Sequence, residues 1–305
     1  MITSFFSKSK PINFIIIVLL VVITFVFHSY FQIDSGEFSF LKMILPLLIA
    51  LFYVFLTDFI IYKNDLTKRH SYGIMILGIM IIVFPEIFND SKSLIANLLV
   101  LFGLRRLFSL HTKKSLLKKF FDAVFWISLA SLFYAWSMVY LILVVVALAN
   151  YWQSEVKYIA VSIFGVITVF ILLLVFNILV KDVYVLQSNF DFDYNFNFSA
   201  YNSRWKILRL TLVISTFLWS IVFYLKAISN KNRKQKPIHI LVLVAAILSI
   251  LIVVLAPKKS GSEFIFFIVP FSVIIANYLE TVEEKWFKEV FIFLLLLIPV
   301  SSLFL

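Results

Sequence analysis

Four basic residues in two polar loops have the type and spacing to hold a phosphate. Lys258 and Lys259 precede a Ser-Gly-Ser turn at the expected start of a helix, and Arg204 and Lys206 lie at the end of the polar loop 181–206. The first turn of a helix presents free N–H groups, and nearby cations add charge-assisted hydrogen bonds to phosphate oxygens. We therefore treat these four side chains as candidates for binding a lipid phosphate or pyrophosphate. The simpler alternative is that they reach phospholipid headgroups at a membrane surface.

Three carboxylates are candidates for acid or base chemistry beside such a phosphate. Glu263 follows the Ser-Gly-Ser turn directly, and Asp34 and Glu37 lie in a short loop after the first apolar segment. Glycosyl transfer from a lipid carrier needs a base near the acceptor hydroxyl and cations near the leaving phosphate. The sequence contains both residue types. A carboxylate at a helix start is also explained by the helix dipole alone, and this alternative stays open for Glu263.

A second basic segment reads RRLFSLHTKKSLLKK over residues 105–119. Leu and Phe recur between the cations, which is typical of an amphipathic segment that lies on anionic lipid headgroups. We expect Asp122, just beyond the segment, to pair with one of its two arginines or to favour the helix dipole. The cations expected to contact lipid on the cytoplasmic side are Arg105, Arg106, Lys113, Lys114, Lys118 and Lys119.

Metal and cofactor chemistry finds little support in the sequence. The chain has no cysteine, which excludes disulfides, Cys-ligated zinc and iron–sulfur clusters. His28 falls at the opposite end of the apolar segments from His70, His111 and His239, and those three adjoin basic clusters that disfavour a cation. We therefore predict no metal site and no cofactor.

The composition indicates a membrane protein. Hydrophobic residues make up 63% of the 305 residues and charged residues only 14%, against about 25% charged in soluble domains. A single water-soluble core of this length cannot bury so much apolar surface. The net charge of +11 is explained by basic loops that set membrane topology, so nucleic acid is not expected as a partner.

The apolar segments predict the fold class. A spanning helix needs roughly 17–25 apolar residues, and the sequence predicts an all-α polytopic transmembrane bundle of about eleven spans, within a range of ten to twelve. We treat residues 1–305 as one integral membrane domain. The predicted spans are 12–31, 42–62, 72–88, 94–104, 120–134, 136–152, 157–180, 207–226, 238–256, 262–279 and 287–305.

The run 120–152 decides the topology of everything that follows it. It has 33 residues with only Asp122 charged, which would make a helix of about 50 Å against a hydrocarbon core of ~30 Å. We interpret it as two short helices that turn near Tyr134–Ser137. Most Lys and Arg residues, including the compact group in 231–236, then fall on the same side as the N-terminus, which predicts a cytoplasmic N-terminus.

The chain resembles an uncharacterised family of Bacteroidota polytopic inner-membrane proteins over nearly its full length. The most specific stretches are MITSFFSKSKPINFIIIVLL, LRRLFSLHTKKSLLKKFFDAVFWISLASLFY and KKSGSEFIFFIVPFSVIIANYLE. The resemblance implies a bacterial inner-membrane location and no specific activity. The many spans, short middle helices and basic loops are also remotely similar to glycosyltransferases and polysaccharide polymerases that use polyprenyl-phosphate sugars. Those enzymes usually carry catalytic acids in a long first outer loop, whereas the loop around Asp34 and Glu37 is short.

Three functions follow as hypotheses, and whether the chain is an enzyme stays open. The first is handling of lipid-linked glycans or envelope lipids on the outer face, by an enzyme or a flippase, with membrane lipids and a polyprenyl-phosphate-linked substrate as partners. The second is a non-catalytic subunit or scaffold of an envelope complex for secretion or motility, bound to other membrane proteins. The third is a small-solute transporter, which the scarcity of charges inside the spans disfavours.

Overall fold

The computed structural model describes residues 2–30, 40–150, 156–181 and 192–303. The regular structure in these ranges is helical, which confirms the predicted all-α class. The helices are α1 (Ile2–Phe6), α2 (Pro11–Tyr30), α3 (Phe40–Lys63), α4 (Tyr72–Val83), α5 (Ser91–Phe108), α6 (Leu116–Ser131), α7 (Leu141–Asn150), α8 (Val156–Lys181), α9 (Arg204–Ser229), α10 (Lys236–Leu255), α11 (Ile265–Thr281) and α12 (Lys285–Leu303).

Several helices have the length and apolarity that a membrane span requires. Two apolar segments are shorter, Tyr72–Val83 and Ala135–Asn150. The figure of eleven spans therefore stays a prediction. Seven segments of the described ranges are long and apolar enough to cross a membrane: Pro11–Tyr30, Ile44–Lys63, Ser91–Thr112, Val156–Val180, Arg204–Ser229, Lys236–Leu255 and Ser262–Thr281.

The contacts divide the chain into two compact units. The first unit contains residues 1–94, 196–231 and 259–305, and the second contains 95–195 and 232–258. Each unit is thus assembled from separate stretches of sequence. The prediction that the whole chain acts as one integral membrane domain stays a prediction.

Two helices form the centre of the first unit. In α4 every residue except Ile82 is buried, and α11 is buried from Ile265 to Leu279. Helices α2, α3, α9 and α12 pack around this pair. Small residues allow the close approach: a Cβ on Gly78 of α4 would lie 2.9 Å from Ile17 of α2. Helix association in lipid depends on such close packing, because lipid tails are as apolar as the side chains.

An ion pair, a close contact of a glycine and a hydrogen bond show which helix ends of the first unit lie together. At one end, Arg209 near the start of α9 pairs with Glu86 after α4, and Gly261 before α11 lies against Glu86. Glu263 lies in the 3-10 turn directly before α11, so we call this the Glu263 end. At the opposite end, Asn277 late in α11 donates to the carbonyl of Leu66 after α3. Glu280 lies in the last turn of α11, so we call this the Glu280 end.

The second unit contains the break that the sequence predicts within 120–152. Helix α6 ends at Ser131, Tyr134 is extended with φ −146° and ψ 104°, and a 3-10 turn spans Ala135–Tyr140 before α7. Two elements with a turn near Tyr134–Ser137 are therefore confirmed. Helix α6 packs mainly on α8, where a Cβ on Gly165 would lie 3.1 Å from Val124.

Two predicted spans have different bounds. The span 72–88 is shorter, because α4 ends at Val83 and Pro85 begins a 3-10 turn, as the restriction on residues before proline requires. The span 94–104 is longer, since α5 runs from Ser91 to Phe108. Asp90 caps it, accepting bonds from the Lys92 amide at 3.0 Å and the Ser93 hydroxyl at 2.5 Å.

Candidate functional site

Three loops of the first unit bring ionisable side chains together at the Glu263 end. They are the 3-10 turn after α4, the segment 196–203 before α9, and the segment 259–264 before α11. We define the Glu263 cluster as Glu263, Tyr201, Lys259, Glu86 and Arg209.

Glu263 is the buried centre of this cluster, with 1% of its surface exposed. One carboxylate oxygen accepts a short hydrogen bond from the Tyr201 hydroxyl. The other accepts from the Gly261 amide at 2.8 Å and more weakly from the Ser260 hydroxyl at 3.4 Å. A buried carboxylate without such donors would be costly, so this loop is built around Glu263.

Tyr201 supplies the side-chain donor. It lies in the 3-10 turn Ser199–Tyr201 and is 6% exposed. Burial raises the pKa of its hydroxyl, and the neighbouring Glu263 carboxylate raises it further. The phenol therefore keeps its proton at neutral pH and donates it to the hydrogen bond with Glu263.

Lys259 adds a buried cation. Its side chain is 7% exposed, and its ammonium lies 4.9 Å from the centre of the Phe198 ring, within reach of a cation–π interaction. Burial lowers the pKa of Lys259, while the Glu263 carboxylate opposes that shift. The ammonium thus loses its proton at lower pH than an exposed lysine would.

Arg209 and Glu86 form a fork-to-fork ion pair beside this group. The two guanidinium nitrogens Nη1 and Nη2 lie 3.1 and 2.9 Å from the two carboxylate oxygens. Arg209 also donates to the Val83 carbonyl at 2.9 Å and lies 4.8 Å from the centre of the Phe84 ring. Bidentate pairs are strong and directional, so this pair joins the end of α4 to the start of α9.

The four predicted phosphate-binding cations lie in different settings. Lys206 donates to the Ala200 carbonyl at 2.9 Å, and Arg204 is exposed. Lys258 is exposed and belongs to the second unit, whereas Lys259 belongs to the first. Only Lys259 joins the Glu263 cluster, and phosphate binding by the four remains a prediction.

The structure describes one of the three predicted carboxylates. Glu263 is central to the cluster, whereas Asp34 and Glu37 fall outside the described residues. The sequence gives no sign of Tyr201 as the donor to Glu263, or of Glu86 as the partner of Arg209. Those contacts join residues 62 and 123 positions apart, a separation that helical periodicity cannot anticipate.

The basic segment 105–119 folds as a helix, a turn and a second helix. After α5 and a 3-10 turn, Lys113 and Ser115 adopt left-handed conformations with φ of 55° and 50°. Arg106 pairs with Asp122 at 2.8 Å, which confirms the expected pairing of Asp122. Lys119 donates to the Ser109 carbonyl at 2.5 Å and so holds the turn.

Three other lysines of this segment are open to solvent. Lys113, Lys114 and Lys118 are exposed, whereas Arg105 is half-buried. Contact with a lipid surface by the six cations remains a prediction, and these three exposed lysines are the best placed for it.

Asp58 and the histidines complete the account of the ionisable groups. Among described residues Asp58 has no ion-pair partner within 4.0 Å, although it lines one cleft together with Lys63 and Arg69. His70 instead pairs with Glu280 at 2.7 Å. Within the described ranges no three His, Asp or Glu side chains are grouped as metal ligands.

The second unit contains an apolar cavity of about 320 Å³. It is lined by Val166, Val169 and Leu173 of α8, by Ser128 of α6 and by Phe192. Ligand pockets start at roughly 300 Å³. The cavity is therefore large enough for a segment of hydrocarbon chain.

The described helices and their buried polar cluster define an all-helical protein with helices of membrane-spanning length and apolarity. The chain matches DUF6427, a family of unknown function, over residues 5–304, and it belongs to that family. No curated protein matches the chain, and no solved structure matches it. The family match confirms the resemblance to an uncharacterised family over nearly the full length.

Proposed function

We propose that this chain is an integral protein of the inner membrane of Bacteroidota, where it handles lipid-linked glycans or other envelope lipids at its Glu263 end. The observation that carries this proposal is that Glu263 and Lys259, four positions apart in the segment before α11, are both buried. The remote similarity to enzymes that use polyprenyl-phosphate sugars agrees with it.

The chemistry of the cluster suits transfer from a lipid phosphate. Lys259 would stabilise negative charge on the leaving phosphate as its bond to the sugar breaks. Glu263 would accept the proton of the attacking hydroxyl as the new bond forms, and Tyr201 would hold the carboxylate in place. Arg204 and Lys206, at the start of α9, would attract the anionic headgroup.

The second unit, taken by itself, contains an apolar cavity that fits a hydrocarbon chain. An apolar cavity of ~150 Å³ binds benzene, so the cavity of about 320 Å³ has room for about a dozen carbon atoms. Such a segment corresponds to part of a polyprenyl or acyl chain.

The test compares envelope lipids of a deletion strain with those of strains that carry single variants. We expect the deletion to accumulate a lipid-linked precursor, detected by mass spectrometry of lipid extracts. Glu263→Gln and Lys259→Gln should accumulate the same species, because each removes a charge that the proposed transfer needs. Glu284→Gln, an exposed carboxylate change, is the matched control and should restore the normal profile.

Protein abundance in the membrane must be measured for every variant. If Glu263→Gln and Lys259→Gln insert normally and restore the lipid profile fully, the proposal is wrong. The same conclusion follows if the deletion strain accumulates no lipid-linked species.

A scaffold function in an envelope complex is the second candidate, and the completeness of the hydrogen bonds around Glu263 favours it. Both oxygens of Glu263 already accept bonds from within the loops, as a purely structural clasp would require. This function predicts that Tyr201→Phe lowers thermal stability and releases a stoichiometric protein partner during purification in mild detergent. A chain that purifies without any partner contradicts it.

A further inference from the structure

A polar cleft at the Glu280 end of the first unit carries a different inference. The cleft has a volume of about 180 Å³ and lies where the residues before α2, the end of α3 and the loop before α4 meet. Five charged side chains line it: Asp58, Lys63, Asp65, Lys68 and Arg69. We call it the Asp58 cleft.

The charges in this cleft are not paired with each other. Among described residues, no ion pair within 4.0 Å includes Asp58, Lys63, Asp65, Lys68 or Arg69. His70, which also lines the cleft, pairs with Glu280 at 2.7 Å. Three cations and two carboxylates thus share one small space, and Asp58 is half-buried there.

The cleft adjoins an apolar face of α3. Leu48, Phe52 and Phe55 are 57%, 44% and 56% exposed, and the stripe continues to Tyr62, which lines the cleft. Spacings of three, four and seven residues place these side chains on one side of the helix. A lipid whose chains follow this stripe would bring its headgroup to the cleft.

We propose that the Asp58 cleft binds a phosphoethanolamine group, the headgroup of a zwitterionic phospholipid. Lys68 and Arg69 supply the charge-assisted donors that a phosphate needs, and the Asp58 carboxylate accepts from the primary ammonium. A cavity of ~150 Å³ holds the six carbons of benzene, so the cleft of about 180 Å³ fits a group of about eight heavy atoms.

The test is native mass spectrometry of the purified full-length chain with defined lipids. Phosphatidylethanolamine should be retained about tenfold more than phosphatidylglycerol, which lacks the ammonium, or phosphatidylcholine, whose ammonium has no N–H donor. Asp58→Asn should reduce phosphatidylethanolamine to the level of phosphatidylglycerol. Arg69→Gln should weaken the retention of both phosphatidylethanolamine and phosphatidylglycerol. Glu283→Gln, a change at an exposed residue, is the control and should weaken the retention of neither lipid.

Three further outcomes make the test decisive. Asp58→Glu keeps the charge and should keep the preference, which separates loss of recognition from loss of folding. Equal retention of the three lipids by the wild type, or an unchanged preference in Asp58→Asn, overturns the proposal. Soluble phosphoethanolamine should not displace the lipid at equal concentration; if it does, the lipid assignment is wrong.

Discussion

At the scale of single residues, the Glu263 end depends on two contacts of Glu86, one with Gly261 and one with Arg209. Gly261 has φ +98°, a conformation that favours glycine, and a Cβ there would lie 3.2 Å from the Cβ of Glu86. The loop before α11 can therefore approach Glu86 closely. Glu86 in turn holds Arg209, so one glycine and one ion pair determine how three loops meet.

The ion pair between Arg209 and Glu86 yields the first prediction of stability. Glu86→Gln should destabilise the protein by about 2–4 kcal/mol, because it leaves a largely buried guanidinium without its counter-charge. Arg209→Met with Glu86→Leu should recover most of that loss, since an apolar pair replaces both charges. Thermal unfolding of the wild type, Glu86→Leu, Arg209→Met and the double variant in one detergent measures the complete double-mutant cycle.

An additive result would contradict this prediction. If the double variant loses the sum of the two single losses, the two side chains do not interact energetically. The ion pair would then be incidental to the position of the loops.

At the scale of helices, the apolar segments largely determine the elements, whereas caps and prolines determine their ends. Residues 120–152 could be divided correctly from sequence because one helix of 33 residues, with only Asp122 charged, would exceed the thickness of a membrane. The end of α4 could have been foreseen at Pro85. The start of α5 was harder, because hydropathy gives no weight to the cap that Asp90 provides.

The contact between α6 and α8 gives a prediction at this scale. A Cβ on Gly165 would lie 3.1 Å from Val124 Cβ and 3.2 Å from the Phe121 carbonyl, atoms that are rigid or belong to the backbone. Gly165→Ala should therefore destabilise the protein by about 1–2 kcal/mol, the cost of overpacking less the gain in helix propensity.

Gly73→Ala is the matched control for that measurement. Its Cβ would meet only the Cδ1 end of Ile61, at 2.9 Å, and that flexible end can rotate away. We expect a change near zero in a denaturant titration of the purified chain. Equal destabilisation by both variants would show that loss of a glycine, and not the α6–α8 contact, sets the cost.

At the scale of the whole chain, the site could be predicted only where its members are close in sequence. Lys259 and Glu263 are four positions apart in the sequence, so their proximity could be predicted. Tyr201, Glu86 and Arg209 join them only through tertiary packing, over separations of 62 and 123 residues. Loops that meet at helix ends carry no periodic pattern, and this is why hydropathy could not assemble the cluster.

The predicted topology agrees with the contacts of the first unit. The chain leaves that unit after Leu94, shortly after the Glu86 turn, and returns at Phe196, shortly before Tyr201, so both points are close in sequence to residues of the Glu263 end. A segment that leaves and returns on one side of a membrane crosses it an even number of times. The four crossings predicted within 94–180 meet this condition, whereas a single crossing by 120–152 would leave three.

Cysteine labelling tests this topology directly, because the chain has no cysteine of its own. Ser7→Cys and Ser229→Cys should both react only after the membrane is permeabilised, since both lie at the Glu280 end that we expect to face the cytoplasm. Ser199→Cys and Phe133→Cys should react with an impermeant maleimide in intact spheroplasts. Opposite sides for Ser7 and Ser229 would contradict the arrangement of the first unit. Protection of Phe133 in spheroplasts, with Ser199 accessible, would contradict two crossings by α6 and α7.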